Sequence, residues 1–194
     1  LAMENGKATY ETPFGAIARP TDGHENAALK WFDLSAAGSG VSLINDCKHG
    51  CSVKDGTMRL SLVRTPTHPD NTSDNYLQTV RYEIYPHQGS WEDAETIQRA
   101  FAFVHPLFAV WLEKDGTGEL PARCSFVKPA DPRTVVTAIK RAEDDNDLVV
   151  RLYNPGSAPI TSTLKTWWPM AAGKQVNFME DAYPAAVTCS GKEA

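Results

Sequence analysis

The sequence has little positive charge to spare. Lysine and arginine number 19 against 24 acidic residues, the net charge is -5, and no basic cluster stands out along the 194 residues. Neutralising a phosphate backbone needs a surplus of such cations, so nucleic acid is not an expected partner. Long apolar runs are also lacking. Nothing approaches the roughly 20 consecutive apolar residues that span a bilayer. The first residues, Leu1-Ala2-Met3-Glu4-Asn5-Gly6, show no basic region followed by an apolar one, so neither a membrane anchor nor a signal is read there. Cysteine is scarce: Cys47, Cys51, Cys124 and Cys189 show no repeated C-x-x-C spacing and are too few to staple a chain of this length. Free thiols in a reducing, cytoplasmic compartment are the simplest reading. Glycine-rich phosphate loops, the H-E-x-x-H pattern and the G-x-S-x-G elbow are absent as well, so none of the chemistries those patterns support is indicated.

What is present is ordinary globular material. With 42% hydrophobic and 22% charged residues, disorder, collagen-like repeats and coiled coils are poor explanations. The length allows one large β domain, or one domain plus part of a second. The dominant hydrophobic period is two, the period of strands that bury one face. Met58, Leu60 and Leu62 alternate with Arg59 and Ser61, and Val80, Tyr82 and Ile84 alternate with Arg81 and Glu83. Shorter apolar stretches at 30–34, 41–44, 135–139, 148–153 and 160–164 are bounded by Gly, Pro, Asn or Asp, as strands joined by turns would be. The architecture is therefore expected to be all-β with one short helix. Ser90 would cap that helix, Glu92 and Asp93 would sit in its first turn, and Ala94, Ile97 and Phe101 would share a face. His105-Pro106 should end it near Phe103. Between Lys114 and Pro132 the accumulation of Gly116, Gly118, Pro121, Pro129 and Pro132 marks a crossover. The expected organisation is a main β portion at 1–113, a linker at 114–132 and a terminal β portion at 133–194. Asp144-Asp145-Asn146-Asp147 reads as a hairpin tip and Asn154-Pro155-Gly156 as another turn.

The most concentrated polar segment is Asn45-Asp46-Cys47-Lys48-His49-Gly50-Cys51, after one apolar strand and before the turn Lys54-Asp55-Gly56. A carboxamide, an acid, a cation and an imidazole on a rigid scaffold supply the donors and acceptors that sugar hydroxyls need. The competing reading is a solvated turn whose Asn45 and Asp46 bond their own backbone. Cys47, His49 and Cys51 could be read as zinc ligands, but their spacing is not that of a structural zinc site, and small cysteines packed on a half-buried strand face explain them better. His87, after Pro86, could present an imidazole to a ligand or could bond locally in a strand-to-helix turn. Isolated His24, His68 and His105 read as structural. Trp31, Trp91, Trp111, Trp167 and Trp168 could stack on sugars, although core packing is the better reading for most of them. Glycoside hydrolysis requires two facing carboxyl groups. Asp33, Asp46, Glu83, Glu92 and Glu113 are available, yet no pair carries a motif that marks it as catalytic.

Taken in order, several segments resemble the C-terminal β region of glycoside hydrolase family 38 α-mannosidases, in particular the cytosolic-type branch. Tyr10-Glu11-Thr12-Pro13-Phe14-Gly15 with Arg19-Pro20 resembles the first strand of that region, and Lys30-Trp31-Phe32-Asp33-Leu34-Ser35 its K-W-x-D-L-S segment. Gly40-Val41-Ser42-Leu43-Ile44-Asn45-Asp46-Cys47-Lys48-His49-Gly50 resembles G-V-x-L-L-N-D-x-K-Y-G. Leu60-Ser61-Leu62-Val63-Arg64-Thr65-Pro66, with Pro69-Asp70, resembles L-S-L-L-R-x-P…P-D. Tyr82-Glu83-Ile84-Tyr85-Pro86-His87-Gln88-Gly89 resembles Y-x-L-x-P-H-x-G. The motifs cover about the first 110 residues densely, and 135–180 more loosely.

The resemblance implies a large antiparallel, mutarotase-like super-sandwich with part of a second, smaller β-sandwich. It implies a separate N-terminal catalytic domain holding zinc and an aspartate nucleophile, which works by a retaining mechanism through a covalent mannosyl-enzyme. No cofactor and no catalytic residue are then expected within these 194 residues. The partners would be a mannose-containing oligosaccharide and that catalytic domain. Asn45, Asp46, Lys48, His49 and Gly50 would line the substrate cleft, with Asp46, Lys48 and His49 as hydroxyl contacts and Gly50 allowing the turn. His49 stands where the family has tyrosine, which removes a stacking ring. The family's last strand has no counterpart after Tyr183-Pro184, which implies a truncated chain whose open strand edge favours association. Two other readings of the residues are an independent carbohydrate-binding module resting on the tryptophans, and a mutarotase-like domain using His87 or His49 with a carboxylate as acid and base.

Overall fold

The computed structural model describes residues 3, 5–113, 116, 118–184, 187–189 and 191. Of the expected crossover, residues 114, 115 and 117 lie outside the described residues. The chain divides into two compact units, Leu1–Phe108 and Ala109–Ala194.

In the first unit, strands β1 (Lys7–Thr12), β2 (Gly15–Arg19), β4 (Trp31–Ala36), β5 (Ser39–Asn45) and β8 (Tyr82–Gln88) form an antiparallel sheet in the order β2-β1-β4-β5-β8. A second sheet, in the order β3-β6-β7, is built from β3 (Asn26–Ala27), β6 (Gly50–Lys54) and β7 (Thr57–Leu60). Alternation along the strands explains why the sheets face one another. Tyr10 is paired with Phe32, Phe32 with Leu43, and Leu34 with Val41, so one face of the large sheet is apolar. That face meets Cys51 and Val53 of β6, with Met58 and Leu60 of β7 packed alongside. Tyr10 and Phe32 are fully buried with their rings stacked 5.6 Å apart. Burial of side chains this size contributes about 2 kcal/mol each. The result is the antiparallel β-sandwich that the period-two pattern and the family resemblance anticipated.

The turn between β6 and β7 is Asp55-Gly56, with φ of 49° and 69°. Positive φ at both positions matches the twist of a two-residue hairpin, and the Asp-Gly pair is well suited to it. The strand around Val80 begins later than the alternation suggested, at Tyr82, and continues through Pro86 to Gln88. Proline has no N–H to give to a ladder, and here it costs little because β8 is the edge strand of its sheet.

The opposite face of the large sheet carries the helix, α1 (Thr96–Val104), which buries Thr96, Ile97 and Ala100. The helix starts later than the sequence suggested. Ser90 and Asp93 do bond reciprocally, with Ser90 N–H donating to Asp93 Oδ2 at 2.9 Å and Asp93 N–H to Ser90 Oγ at 3.3 Å. They close a turn that leads to Glu95, which has φ of 53°, and regular helix begins only after it. Glu92 and Asp93 therefore lie outside the first helical turn, which contains no acid.

In the second unit, β10 (Val135–Arg141) and β11 (Leu148–Tyr153) form a hairpin with a register shift between Val136 and Ala138. Its tip is closed by Ala142 N–H donating to Asp147 O at 2.9 Å and Asp147 N–H to Asp145 Oδ1 at 2.7 Å. A second antiparallel pair joins β9 (Val127–Pro129) to β12 (Leu164–Thr166). The 160–164 stretch is thus corrected: only Leu164 lies in a strand, because pairing with β9 begins at Leu164↔Pro129.

Candidate functional site

The polar segment singled out above links β5 to β6, and the structure divides its residues between two sides. Asn45 ends β5 and is completely buried. Its Oδ1 accepts hydrogen bonds from the N–H groups of Lys48 at 2.6 Å and Cys47 at 3.2 Å, and its own N–H donates to Lys30 O at 2.8 Å. Asn45 therefore closes the turn from inside the protein, where the carboxamide replaces backbone partners. Asp46 turns towards Arg81, with Oδ2 3.6 Å from Nη1, while its Oδ1 is buried without a hydrogen-bond partner. Arg81 is itself placed over the Phe103 ring at 4.9 Å and donates to Phe103 O at 3.2 Å.

Lys48, His49 and Gly50 face the other way. They line a cleft of about 500 Å³ together with Glu25 and Asn26 at β3 and with residues 61–64 following β7. His49 Nδ1 lies 3.0 Å from Ala28 O and 3.3 Å from Leu29 O. A carbonyl can only accept, so Nδ1 carries a proton, and in the neutral ring Nε2 is then an acceptor. Gly50 has no side chain for a different reason from the one read in the sequence. It belongs to β6 and its φ is not left-handed, but a Cβ there would overlap Glu25 Oε1 and lie 2.9 Å from Glu25 Cδ. Gly50 makes room for a carboxylate and does not permit a turn.

This arrangement sits within segments that match known proteins. Residues 1–72 match the glycosyl hydrolases family 38 C-terminal domain, and residues 133–192 match the glycosyl hydrolases family 38 C-terminal beta sandwich domain. The chain belongs to glycosyl hydrolase family 38. It is 34% identical to alpha-mannosidase 2C1 of Homo sapiens over 197 residues, which covers 94% of this chain and 18% of that protein. It is 35% identical to alpha-mannosidase G of Dictyostelium discoideum, covering 75% of this chain and 14% of that one. The chain thus spans less than a fifth of the length of these relatives. Among solved structures, an alpha-mannosidase from Enterococcus faecalis V583 has the same fold, with a TM-score of 0.77 and 20% identity over 95% of this chain and 23% of that one.

In this family 38 region a second polar cluster lies on the helix-facing side of the large sheet. Asp33 of β4 accepts hydrogen bonds from His87 Nε2 at 2.7 Å, from Ser42 Oγ at 2.8 Å and from Ser35 Oγ. Ser42 Oγ is in turn 2.9 Å from Thr96 Oγ1 at the start of α1. This corrects the local role read for His87, whose partner is 54 residues away. The Asp33 and His87 side chains are 0% and 2% exposed, so the pair is sealed from any sugar and does not serve as an acid and base on one.

The family resemblance places zinc in a catalytic domain, and among the described residues no group of three or more His, Cys, Asp or Glu is set to hold a metal ion. Cys47 is exposed in the turn, His49 Nδ1 is committed to backbone carbonyls, and the buried Cys51 thiol is pushed up to about 12, chiefly by burial and then by the charge of Glu25. Trp31 is fully buried with its ring centre 5.0 Å from that of Trp91, whereas Trp111 is 90% exposed. Sequence reasoning reached the 45–50 loop and missed Glu25, which stands in no recognisable motif and acquires its place only through the β3–β6 pairing.

Proposed function

We propose that this chain is the C-terminal β region of an α-mannosidase that hydrolyses terminal α-mannosyl linkages, and that its 45–50 loop forms part of the wall of the substrate cleft. The groups that break the bond lie outside residues 1–194. In that reading a separate catalytic domain of the same parent chain holds zinc and an aspartate nucleophile and works with retention through a covalent mannosyl-enzyme. The present region alone has no activity. Its free cysteines suit a cytoplasmic enzyme. The internal division proposed for it is a main portion at 1–113, a linker at 114–132 and a terminal portion at 133–194.

The observation that carries this reading is the cleft lined by Lys48, His49 and Gly50, set on a turn that buried Asn45 holds shut. A cation that only donates beside an imidazole nitrogen that accepts is a set suited to hydroxyl groups. Asn45 acts by shaping the loop and Asp46 by holding it through Arg81 at the rim. NMR titration of the 194-residue chain with methyl α-mannoside tests the proposal. The account expects the amide signals of Lys48, His49 and Gly50 to shift, and Lys48→Ala to weaken the response. Shifts confined to Trp111, Trp167 and Trp168, or no shifts, would overturn it.

A further inference from the structure

The cleft has a wall that no sequence motif announced. Glu25 immediately precedes β3, and its carboxylate lies over the Cα of Gly50, in the space a side chain there would fill. β3 pairs with β6 through Asn26↔Cys51 and Ala27↔Gly50, so the backbone on both sides of that contact is fixed by a ladder. On the far side, Arg64 reaches to within 3.7 Å of Glu25 Oε2. That separation is long for a hydrogen bond, and the side chains are 85% and 40% exposed, so the pair is loose and open to solvent.

The chemistry of the lining separates its members. Lys48 and Arg64 can only donate. His49 has one ring nitrogen spent on the Ala28 carbonyl. Asp74 has Oδ2 engaged by the N–H of Thr65 at 2.7 Å. Glu25 pairs with Arg64 across 3.7 Å, a separation too long for a hydrogen bond. The Glu25 side chain is 40% exposed, so its carboxylate can accept hydroxyl protons, and adjacent hydroxyls of a hexose present two of them close together. A guanidinium beside it donates back to the same hydroxyl oxygens.

The geometry points to Glu25 as a further sugar-binding residue, the acceptor for a pair of adjacent hydroxyls on a neutral hexose, with Arg64 as its partner across the cleft. Its ligand is an uncharged sugar, since Glu25 and Asp74 offset Lys48 and Arg64 within the same lining. This rests on the cleft being the sugar site proposed above. Gly50 is then a specificity feature, because any larger residue would displace the carboxylate.

The test uses the whole 194-residue chain, titrated with methyl α-mannoside and with its 2-deoxy analogue and followed by amide shifts. Glu25→Gln keeps the size of the side chain and removes the charge. It is expected to weaken binding by about tenfold, the usual scale for losing hydrogen bonds to a charged group. Removing the 2-hydroxyl from the sugar should then cost the Glu25→Gln protein much less than it costs the unaltered one, a coupling that a merely structural role would not produce. Gly50→Ala should weaken binding similarly, and a well-dispersed spectrum of Glu25→Gln keeps the test valid should Gly50→Ala fail to fold. If Lys48→Ala weakens binding while Glu25→Gln leaves affinity and the 2-deoxy difference unchanged, the role of Glu25 is overturned and the cleft assignment stands. If no signal in the 45–50 loop responds to sugar, both fall together.

Discussion

Asn45 and Cys51 stand close together in the chain, and both are completely buried, yet they behave oppositely. Asn45 uses its buried oxygen twice, on Cys47 and Lys48, so its removal leaves two inward-facing N–H groups without partners. Asn45→Ala should cost about 1–3 kcal/mol, read as a lower urea midpoint with an unchanged slope. Cys51 has no such partner, and burial followed by the charge of Glu25 pushes its thiol up to about 12. An unfolded chain would release that proton near the ordinary thiol value of about 8.5. The folded pKa is raised, so the stability tied to the neutral thiol is fully present below about 8.5 and is lost as pH rises towards 12. At about pH 8, alkylation followed by mass spectrometry should label exposed Cys124 in the native protein and leave Cys51 unlabelled until denaturant is added. The Asn-Asp cluster announced a loop from its composition, but which oxygen it turned inward depends on β4 and β5 placing the Lys30 carbonyl beneath it.

At the level of elements, the Asp33 network holds three strands and the helix together: Asp33 and Ser35 from β4, Ser42 from β5, His87 from β8 and Thr96 from α1. Truncating one partner of a buried pair leaves the other without compensation, which costs about 3–5 kcal/mol. Asp33→Ala should therefore destabilise the chain on that scale in chemical denaturation, and the Asp33→Ala, His87→Ala double variant should lose less than the sum of the two single changes. Additive losses would show that the pair is not a unit. Elements governed by local rules were legible in the sequence: the β6–β7 hairpin follows from Asp55-Gly56 between alternating strands, and the span of β11 coincides with the apolar stretch at 148–153. Those set by partners were not. β8 runs through Pro86 because it happens to be an edge, and β12 is shifted because β9 selects its register. The Asp33–His87 bond joins two motif segments whose spacing in sequence carries no sign of their contact.

At the scale of the whole molecule, each of the two mainly β units contains a stretch related to the C-terminal part of family 38, residues 1–72 in the first and 133–192 in the second. The family was legible from ordered motifs in the first 110 residues, and those motifs fall on β1, on β4 and on the loop after β5. The cleft was half legible. Lys48, His49 and Gly50 lie on one contiguous segment, while Glu25 and Arg64 reach it from the ends of β3 and β7, which flank β6 in the same sheet. The Asp33–His87 pair is enclosed, and the open cleft is lined by Lys48, His49, Glu25 and Arg64, the groups proposed above to bind sugar. The proposed function places sugar binding in this region and bond cleavage elsewhere in the parent enzyme. The most direct measurement is the release of chromophore from a chromogenic α-mannoside by the purified 194-residue chain. The account predicts a rate indistinguishable from buffer. Sustained turnover that disappears on substituting a residue of this chain would place the cleaving groups inside it and contradict the account.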